Sequence, residues 1–166
     1  ILSKLGIEYH IFDYESKYMK KSKEILARLK ETKKIHKDKE SRTYLDLHGT
    51  HIQKMMKSAV LVLTRSDETG LYPLWDLAYT IDKMKKGKNI IILGEDQKLY
   101  FEQISEALKL LGYKSPDVVH YSFVLIQTDK GATKMSTRRG ELVLLEDFYD
   151  EAIKKELHFV LALFLW

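Results

Sequence analysis

One segment of this sequence concentrates cationic side chains: residues 134–140 read KMSTRRG, with three Lys or Arg residues. Gly131 and Gly140 flank the cationic residues, and glycine allows backbone conformations that other residues avoid. Ammonium and guanidinium groups on such a loop can bind phosphate oxygens or another anion. A charged hairpin tip is an equally good interpretation of the composition alone.

A second segment, residues 64–76 (TRSDETGLYPLWD), combines a polar turn with the start of an expected helix. Tyr72 and Asp76 stand four residues apart, so both side chains can lean to one side if Pro73 lies in the first turn. A carboxylate there can pair with a guanidinium through two hydrogen bonds, and a phenol can add a contact. The alternative makes Asp76 a surface acid near a helix N-terminus, and the pattern alone favours it.

A third segment, residues 94–97 (GEDQ), also follows an apolar run. Gly94 allows a close turn of the chain. Asp96 or Gln97 can then contact a ligand or cap the following helix, and the two interpretations are equally supported.

The surrounding apolar patterns predict the elements that carry these segments. Residues 59–63 and 90–93 are apolar runs rich in β-branched residues, which is typical of strands buried on both faces. Helices are predicted over 74–84 and 97–111, and a third strand over 118–126. This order predicts an α/β fold, namely half of a doubly wound, Rossmann-like parallel sheet with flanking helices. Such folds bind ligands at the carboxyl ends of strands, where the polar segments stand.

The sequence pattern of the first 57 residues predicts a helical and irregular segment before the sheet. Residues 17–42 hold eleven Lys or Arg and four Asp or Glu, so their local charge is 11 − 4 = +7. Such a block can contact phosphates, but the lack of interleaved aromatic residues favours a solvated helix. Residues 36–43 lack apolar side chains and predict a mobile loop.

A terminal helix is predicted from about Asp147, and residues 159–166 are apolar on every side. The run is shorter than the roughly 20 apolar residues that cross a bilayer. We expect it to bury against a missing part of the parent protein, or against another copy of this chain.

The amino-acid composition argues against several classes of protein. The chain has no cysteine, and its six histidines lack ligand spacing with a matching carboxylate, so neither a disulfide framework nor a metal site is expected. The chain starts at Ile1 without methionine, which suggests that an upstream part is missing. Without a recognisable signal peptide, a cytoplasmic location is the expectation.

Together the segments resemble the arginyl-tRNA synthetases, which are class I aminoacyl-tRNA synthetases, and residues 134–140 resemble the KMSK loop of that class. The resemblance is close over 58–156 and loose over 5–57. It implies that 1–57 end a connective insertion, that 58–145 form the second half of the catalytic domain, and that 146–166 precede an absent anticodon-binding domain. The matching residues occur in family order, through Asp67, Tyr72, Asp76–Tyr79, Gly94, Asp96–Leu99, Phe101–Gln103, His120, Phe123 and Leu144–Asp147.

The resemblance implies ATP-dependent attachment of arginine to its tRNA, with ATP as its magnesium complex. The residues implied in arginine binding are Tyr72, Asp76 and Gln97. Those implied in ATP binding are His120, Phe123, Lys134, Met135 and Ser136. The catalytic residues would be Lys134, Ser136 and Arg138, which contact phosphates or hold the loop in shape.

The sequence also departs from the family. Glu68 replaces a usual glycine, Leu74-Trp75 replaces a usual Thr-Arg pair, and Tyr100 replaces a usual histidine. The HIGH motif of the first half is missing, and we interpret His-Gly-Thr-His at 48–51 as coincidence. The chain is therefore expected to hold half a site and to need a separate N-terminal half. The alternative is a non-catalytic, synthetase-like protein that binds nucleotide, arginine or RNA.

Overall fold

The structure is a computed structural model that describes residues 1–128, 131–134 and 144–154. It divides into two compact units by spatial contacts. One unit is Asp13–Ser122, and the other combines Ile1–Phe12 with Phe123–Trp166. A division by contacts does not test the predicted segment boundaries at 57 and 145, which remain predictions.

The larger unit contains three helices and five strands, joined by short 3₁₀ turns. The helices are α1 (Met19–Glu31), α2 (Tyr72–Met84) and α3 (Lys98–Leu110). The strands are β1 (Ile35–Lys37), β2 (Thr43–Asp46), β3 (Val60–Val62), β4 (Ile90–Gly94) and β5 (Asp117–Tyr121). The 3₁₀ turns are Glu15–Tyr18, His51–Lys54 and Glu95–Gln97.

The smaller unit contains a hairpin and a helix, α4 (Leu145–Lys154), besides a 3₁₀ turn at Leu2–Leu5. The hairpin joins β6 (Leu125–Thr128) to β7 (Gly131–Lys134), with Thr128 opposite Gly131. The helix α4 confirms the predicted terminal helix as far as residue 154. The apolar residues 159–166 lie outside the described residues.

The predicted α/β character is confirmed, but the predicted pairing is only partly right. Strands β4 and β5 pair in parallel, with Ile92 opposite Val119. Strand β3 does not extend this pair in the described residues; it pairs antiparallel with β2, so the doubly wound sheet is not confirmed. The predicted third strand over 118–126 is divided between β5 and β6, which belong to different units.

The predicted loop over 36–43 is only partly right: residues 38–42 connect two strands, but residues 36, 37 and 43 belong to the β1–β2 hairpin. His36 lies opposite Tyr44, and Lys37 opposite Thr43. The side chain of Asp38 accepts hydrogen bonds from the backbone of Glu40 and Arg42, which stabilises the turn. The charged residues that suggested a loop therefore form a tight turn and a solvated strand.

Three helices and the antiparallel sheet share one hydrophobic core. Its fully buried side chains include Leu29 of α1, Leu45 of β2, Leu77 of α2 and Leu108 of α3. The helix α1 contributes one apolar face to this core, through Ile25 and Leu29. Core packing therefore sets the position of α2, the helix that carries Asp76.

The parallel pair β4–β5 leaves one apolar face uncovered, contrary to the predicted burial of 90–93 on both faces. We call this surface, formed by Ile90, Ile92, Val119 and Tyr121, the exposed sheet face. Their exposed fractions are 56%, 67%, 52% and 55%. Parallel strands in folded proteins usually have both faces covered, but no element among the described residues covers this one.

Candidate functional site

The side chain of Asp76 lies in the second turn of α2 and is half-buried. Its Oδ2 accepts a hydrogen bond from the Tyr100 hydroxyl of α3, at 2.5 Å. The interpretation of Asp76 as a surface acid in a first helical turn is therefore wrong. The acid belongs instead to a contact between two helices.

Three titratable groups on two helices influence one another around Asp76. Burial raises the pKa of the Asp76 carboxyl, while the hydrogen bond from Tyr100 and the charge of Lys83 oppose that rise. Burial also raises the pKa of the Tyr100 phenol, and the neighbouring acid raises it further. Burial lowers the pKa of Lys83, whose Nζ lies 4.3 Å from the centre of the Tyr79 ring. A carboxylate in this setting interacts strongly with a cation because little water screens it.

A cavity of about 260 Å³ opens beside Asp76. Its lining combines carboxylates with aromatic rings, a combination that suits an organic cation with a flat or apolar body. The residues that line it are Asp13, Tyr14, Glu15, Tyr18, Trp75, Asp76 and Tyr79.

Tyr72 shares α2 with Asp76 but is not among the residues that line this cavity. It is the first residue of the helix, is 65% exposed, and packs edge-on against Trp75 with ring centres 5.6 Å apart. Pro73 follows it within the first turn, as the predicted geometry required. Tyr72 therefore remains accessible to a ligand from another side of the helix start.

Gln97 is the last residue of the 3₁₀ turn between β4 and α3, and it is exposed. Although Gln97 occupies the N-cap position of α3, its side chain makes no capping hydrogen bond. Nearby, Ser122 donates a hydrogen bond to Glu95 at 3.2 Å, linking the segments that follow β5 and β4. The third polar segment thus stands at the carboxyl ends of the parallel strands, as predicted.

His120 lies in β5, and its ring packs edge-on against Phe101 with centres 6.2 Å apart. Its Nδ1 atom is buried and has no hydrogen-bond partner among the described residues. Phe123, which is also predicted to bind ATP, belongs to the smaller unit, whereas His120 belongs to the larger one.

Lys134 is the last residue of β7. The rest of the cationic segment follows β7 in the sequence and lies outside the described residues, so the hairpin-tip interpretation stays open. Met135, Ser136 and Arg138 lie outside the described residues, so their predicted roles remain predictions.

Sequence reasoning missed Lys83, whose charge influences Asp76, and several residues that line the cavity. Tyr79 and Lys83 lie three and seven residues after Asp76, so helical spacing could have placed them on its side of α2. Asp13 and Glu15 precede α1 and carry no such signal. Asp13 is paired with Lys17 at 2.6 Å, and this hydrogen bond lowers its pKa.

The histidines of 48–51 have structural contacts that support the interpretation of this motif as coincidence. His48 contacts Asp46, and His51 contacts Glu102 at 3.0 Å and Glu106 at 3.3 Å. A strand precedes this segment, but the 3₁₀ helix that begins within it has only four residues.

Glu68 occupies a backbone conformation that normally requires glycine. Its φ is +66°, in the left-handed region. Glycine adopts this conformation without the steric cost that a side chain brings, so Glu68 carries local backbone strain. Its side chain forms an exposed ion pair with Lys37, at 2.8 Å.

Replacing Glu68 with glycine is expected to give a more stable protein than replacing it with alanine, by about 1 kcal/mol. Both variants lose the Lys37 ion pair, so their difference isolates the left-handed backbone. Urea denaturation of the two variants side by side measures it. Equal free energies of unfolding would show that the turn relaxes at no cost.

Neither a membrane-spanning helix nor a metal-binding cluster occurs among the described residues. No helix among them combines the length and apolarity needed to cross a membrane. No three His, Cys, Asp or Glu side chains in that part of the chain are grouped so that they could hold a metal ion.

Comparison with known proteins identifies the class of protein to which this α/β chain belongs: the catalytic domains of class I tRNA synthetases. Residues 2–162 match the family model described as "tRNA synthetases class I (R), catalytic domain", and the chain belongs to that family.

Its curated relatives are arginine–tRNA ligases. The one from Methanococcus aeolicus is 41% identical over 154 residues, which is 91% of this chain and 25% of the relative. The one from Methanocaldococcus jannaschii is 39% identical over 158 residues, or 93% of this chain and 26% of the relative. The chain thus spans about a quarter of the length of these relatives.

Solved structures agree with this family. A Campylobacter jejuni chain described as an arginyl-tRNA synthetase superposes with a TM-score of 0.69 at 26% identity, over 90% of this chain and 32% of that chain. The Thermus thermophilus arginyl-tRNA synthetase superposes with a TM-score of 0.57 over 81% of this chain and 28% of that one. Because the Thermus thermophilus chain is only 17% identical, its similarity is evidence for the fold alone.

Proposed function

We propose that this chain is part of an arginyl-tRNA synthetase, in which it supplies one wall of the arginine pocket and the loop that binds ATP phosphates. The observation that carries the proposal is the half-buried carboxylate of Asp76 beside a cavity of acids and aromatic rings. The family match over residues 2–162 supports it independently. The enzyme would attach arginine to its tRNA at the expense of ATP.

Asp76 would pair with the guanidinium group of arginine. A carboxylate and a guanidinium form charge-assisted hydrogen bonds that are roughly twice as strong as neutral ones. Tyr72 would add a contact from the exposed start of α2, and Gln97 another from the end of β4. Both side chains are exposed, which suits contact with a substrate.

ATP, as its magnesium complex, would bind near the loop that follows β7. Lys134, Ser136 and Arg138 would contact its phosphates, with Met135 beside them. His120 and Phe123 would contact the nucleotide. Adenylate formation needs no covalent nucleophile, so these residues would act by positioning the substrates and stabilising charge.

A separate N-terminal half of the catalytic fold would complete the site and the sheet. The exposed sheet face supports this proposal, because an apolar surface on parallel strands normally lies against another layer. In this assignment residues 58–145 form the second half of a doubly wound sheet, residues 1–57 end the connective insertion and 146–166 follow the catalytic domain. A cytoplasmic location and self-association through residues 159–166 likewise remain predictions.

Arginine-dependent ATP–pyrophosphate exchange tests the proposal, with tRNA present. We expect no exchange by the chain alone, and exchange when the N-terminal part of the Methanococcus aeolicus relative is added. Exchange by the chain alone would contradict the need for a second half. No exchange under either condition would contradict the catalytic proposal.

Variants of the exposed sheet face sharpen this test. Ile92→Glu places a carboxylate in the centre of the face and should abolish exchange in the mixture. Met55→Glu makes the same kind of change at an exposed apolar side chain outside the sheet, and should leave exchange intact. Equal exchange by the two variants would exclude this face as the contact with the other half.

A non-catalytic binding protein is the second candidate. The observation that favours it is Trp75, which stands where the family usually has arginine and lines both the Asp76 cavity and a second cavity of about 550 Å³. The indole changes the shape and charge of the pocket beside Asp76. Arginine binding by the chain without exchange, even when the N-terminal part is added, would support this candidate.

A further inference from the structure

We propose that Tyr100 is a positioning residue, whose hydroxyl holds the Asp76 carboxylate ready to pair with a guanidinium group. The proposal rests on the proposed function, since it concerns the same pocket.

The geometry of the contact carries the inference. Tyr100 lies in α3 and Asp76 in α2, and the phenol donates its only proton to Oδ2 of the acid. Both helices are anchored next to these residues, because Leu77 and Phe101 are buried in the protein. The contact therefore restricts rotation of the carboxylate and leaves Oδ1 for a further donor.

The charges around Asp76 determine how a neutral hydrogen-bond donor such as Tyr100 affects the binding of a cation. The groups that influence the charge of Asp76 are Lys83 on the same helix and Tyr100 on α3. Two further acids, Asp13 and Glu15, line the same cavity, as do the phenols of Tyr14, Tyr18 and Tyr79. Asp13 already has Lys17 as its partner. The phenol contributes a hydrogen bond without adding a positive charge, so it does not compete with the guanidinium of a ligand.

A histidine at this position would behave differently. An imidazole gains a proton near pH 6.5 and then carries a positive charge, which would compete with a bound guanidinium. Burial and the neighbouring acid both raise the pKa of the Tyr100 phenol, so it stays neutral. Tyr100 therefore keeps the negative charge of Asp76 available over a wider range of pH.

The test compares Tyr100→Phe with the natural chain in two measurements. Carbon-detected NMR on the full chain follows the titration of the Asp76 carboxyl, which should shift to higher pH in the variant because the hydrogen bond favours the ionised form. Calorimetry measures L-arginine binding to the chain mixed with the N-terminal part. We expect affinity to fall roughly tenfold at pH 7, with a larger loss at lower pH.

A matched control is Tyr113→Phe. Tyr113 also packs against the core, and its hydroxyl accepts a hydrogen bond from Arg28 at 3.1 Å. This variant should change neither the Asp76 titration nor arginine affinity.

The outcomes separate the two proposals. An unchanged Asp76 titration in Tyr100→Phe, with arginine still bound as tightly, would overturn the role of Tyr100. A shifted titration without arginine binding by the natural chain would overturn the proposed function, while the contact that holds Asp76 would stand. A shift together with weaker binding would support both.

Discussion

Replacing Asp76 with asparagine is expected to lower arginine-dependent exchange by about 100-fold, because removing one partner of a buried charge pair typically costs 2–5 kcal/mol. The amide keeps the shape of the side chain and can still accept the Tyr100 hydrogen bond, so the loss reports the charge alone. Exchange by the mixture with the N-terminal part, at subsaturating arginine, measures it. Asp117→Asn, at an exposed acid that pairs with Lys88, is the control and should retain full exchange.

The same Asp76 variant should be more stable than the natural chain at pH 7. Burial raises the folded-state pKa of Asp76 above its unfolded value of about 3.9, so the ionised acid opposes folding. The stability contributed by the protonated group is present below the unfolded pKa and is lost as pH rises through the folded pKa. The asparagine variant should therefore match the natural chain near pH 3 and exceed it at pH 7, as measured by urea denaturation. The reverse order at pH 7 would show that the Tyr100 hydrogen bond and the charge of Lys83 outweigh the cost of burying the ionised Asp76.

Replacing Leu77 with alanine is expected to lower the free energy of unfolding by about 2–5 kcal/mol. Leu77 follows Asp76 in α2 and its side chain is 0% exposed, so truncation leaves a cavity where α2 meets the core. Urea denaturation followed by circular dichroism measures the loss. Leu26→Ala, at a half-buried position of α1, should cost clearly less. Equal losses in the free energy of unfolding would mean that neighbouring side chains move to fill the cavity left by the truncation of Leu77.

Periodicity alone was enough to predict α2 and α3. Both helices bury an apolar stripe, and a period of 3.6 residues is a local property of the sequence. The end of α3 was equally local: Gly112 has φ +82°, the conformation that glycine favours after a helix.

Strand pairing was harder to predict, because it depends on residues that are distant in sequence. The short apolar run of β3 fits a parallel or an antiparallel neighbour equally well, and only the β1–β2 hairpin decided between them. That hairpin was missed because its turn is charged and its strands are short. The uncovered face of β4 and β5 was not predictable either, since apolar side chains do not reveal whether another layer is present.

For the candidate site, the sequence by itself determined which chemical groups are present and that Tyr72 and Asp76 share the start of one helix. Helical spacing is a local rule, so this part needed no tertiary information. Only the tertiary structure decided that Tyr100 donates to Asp76 and that Asp13 and Glu15 lie across the cavity. The physical reason is that these partners lie on separate elements, whose relative positions are set by packing of the shared core.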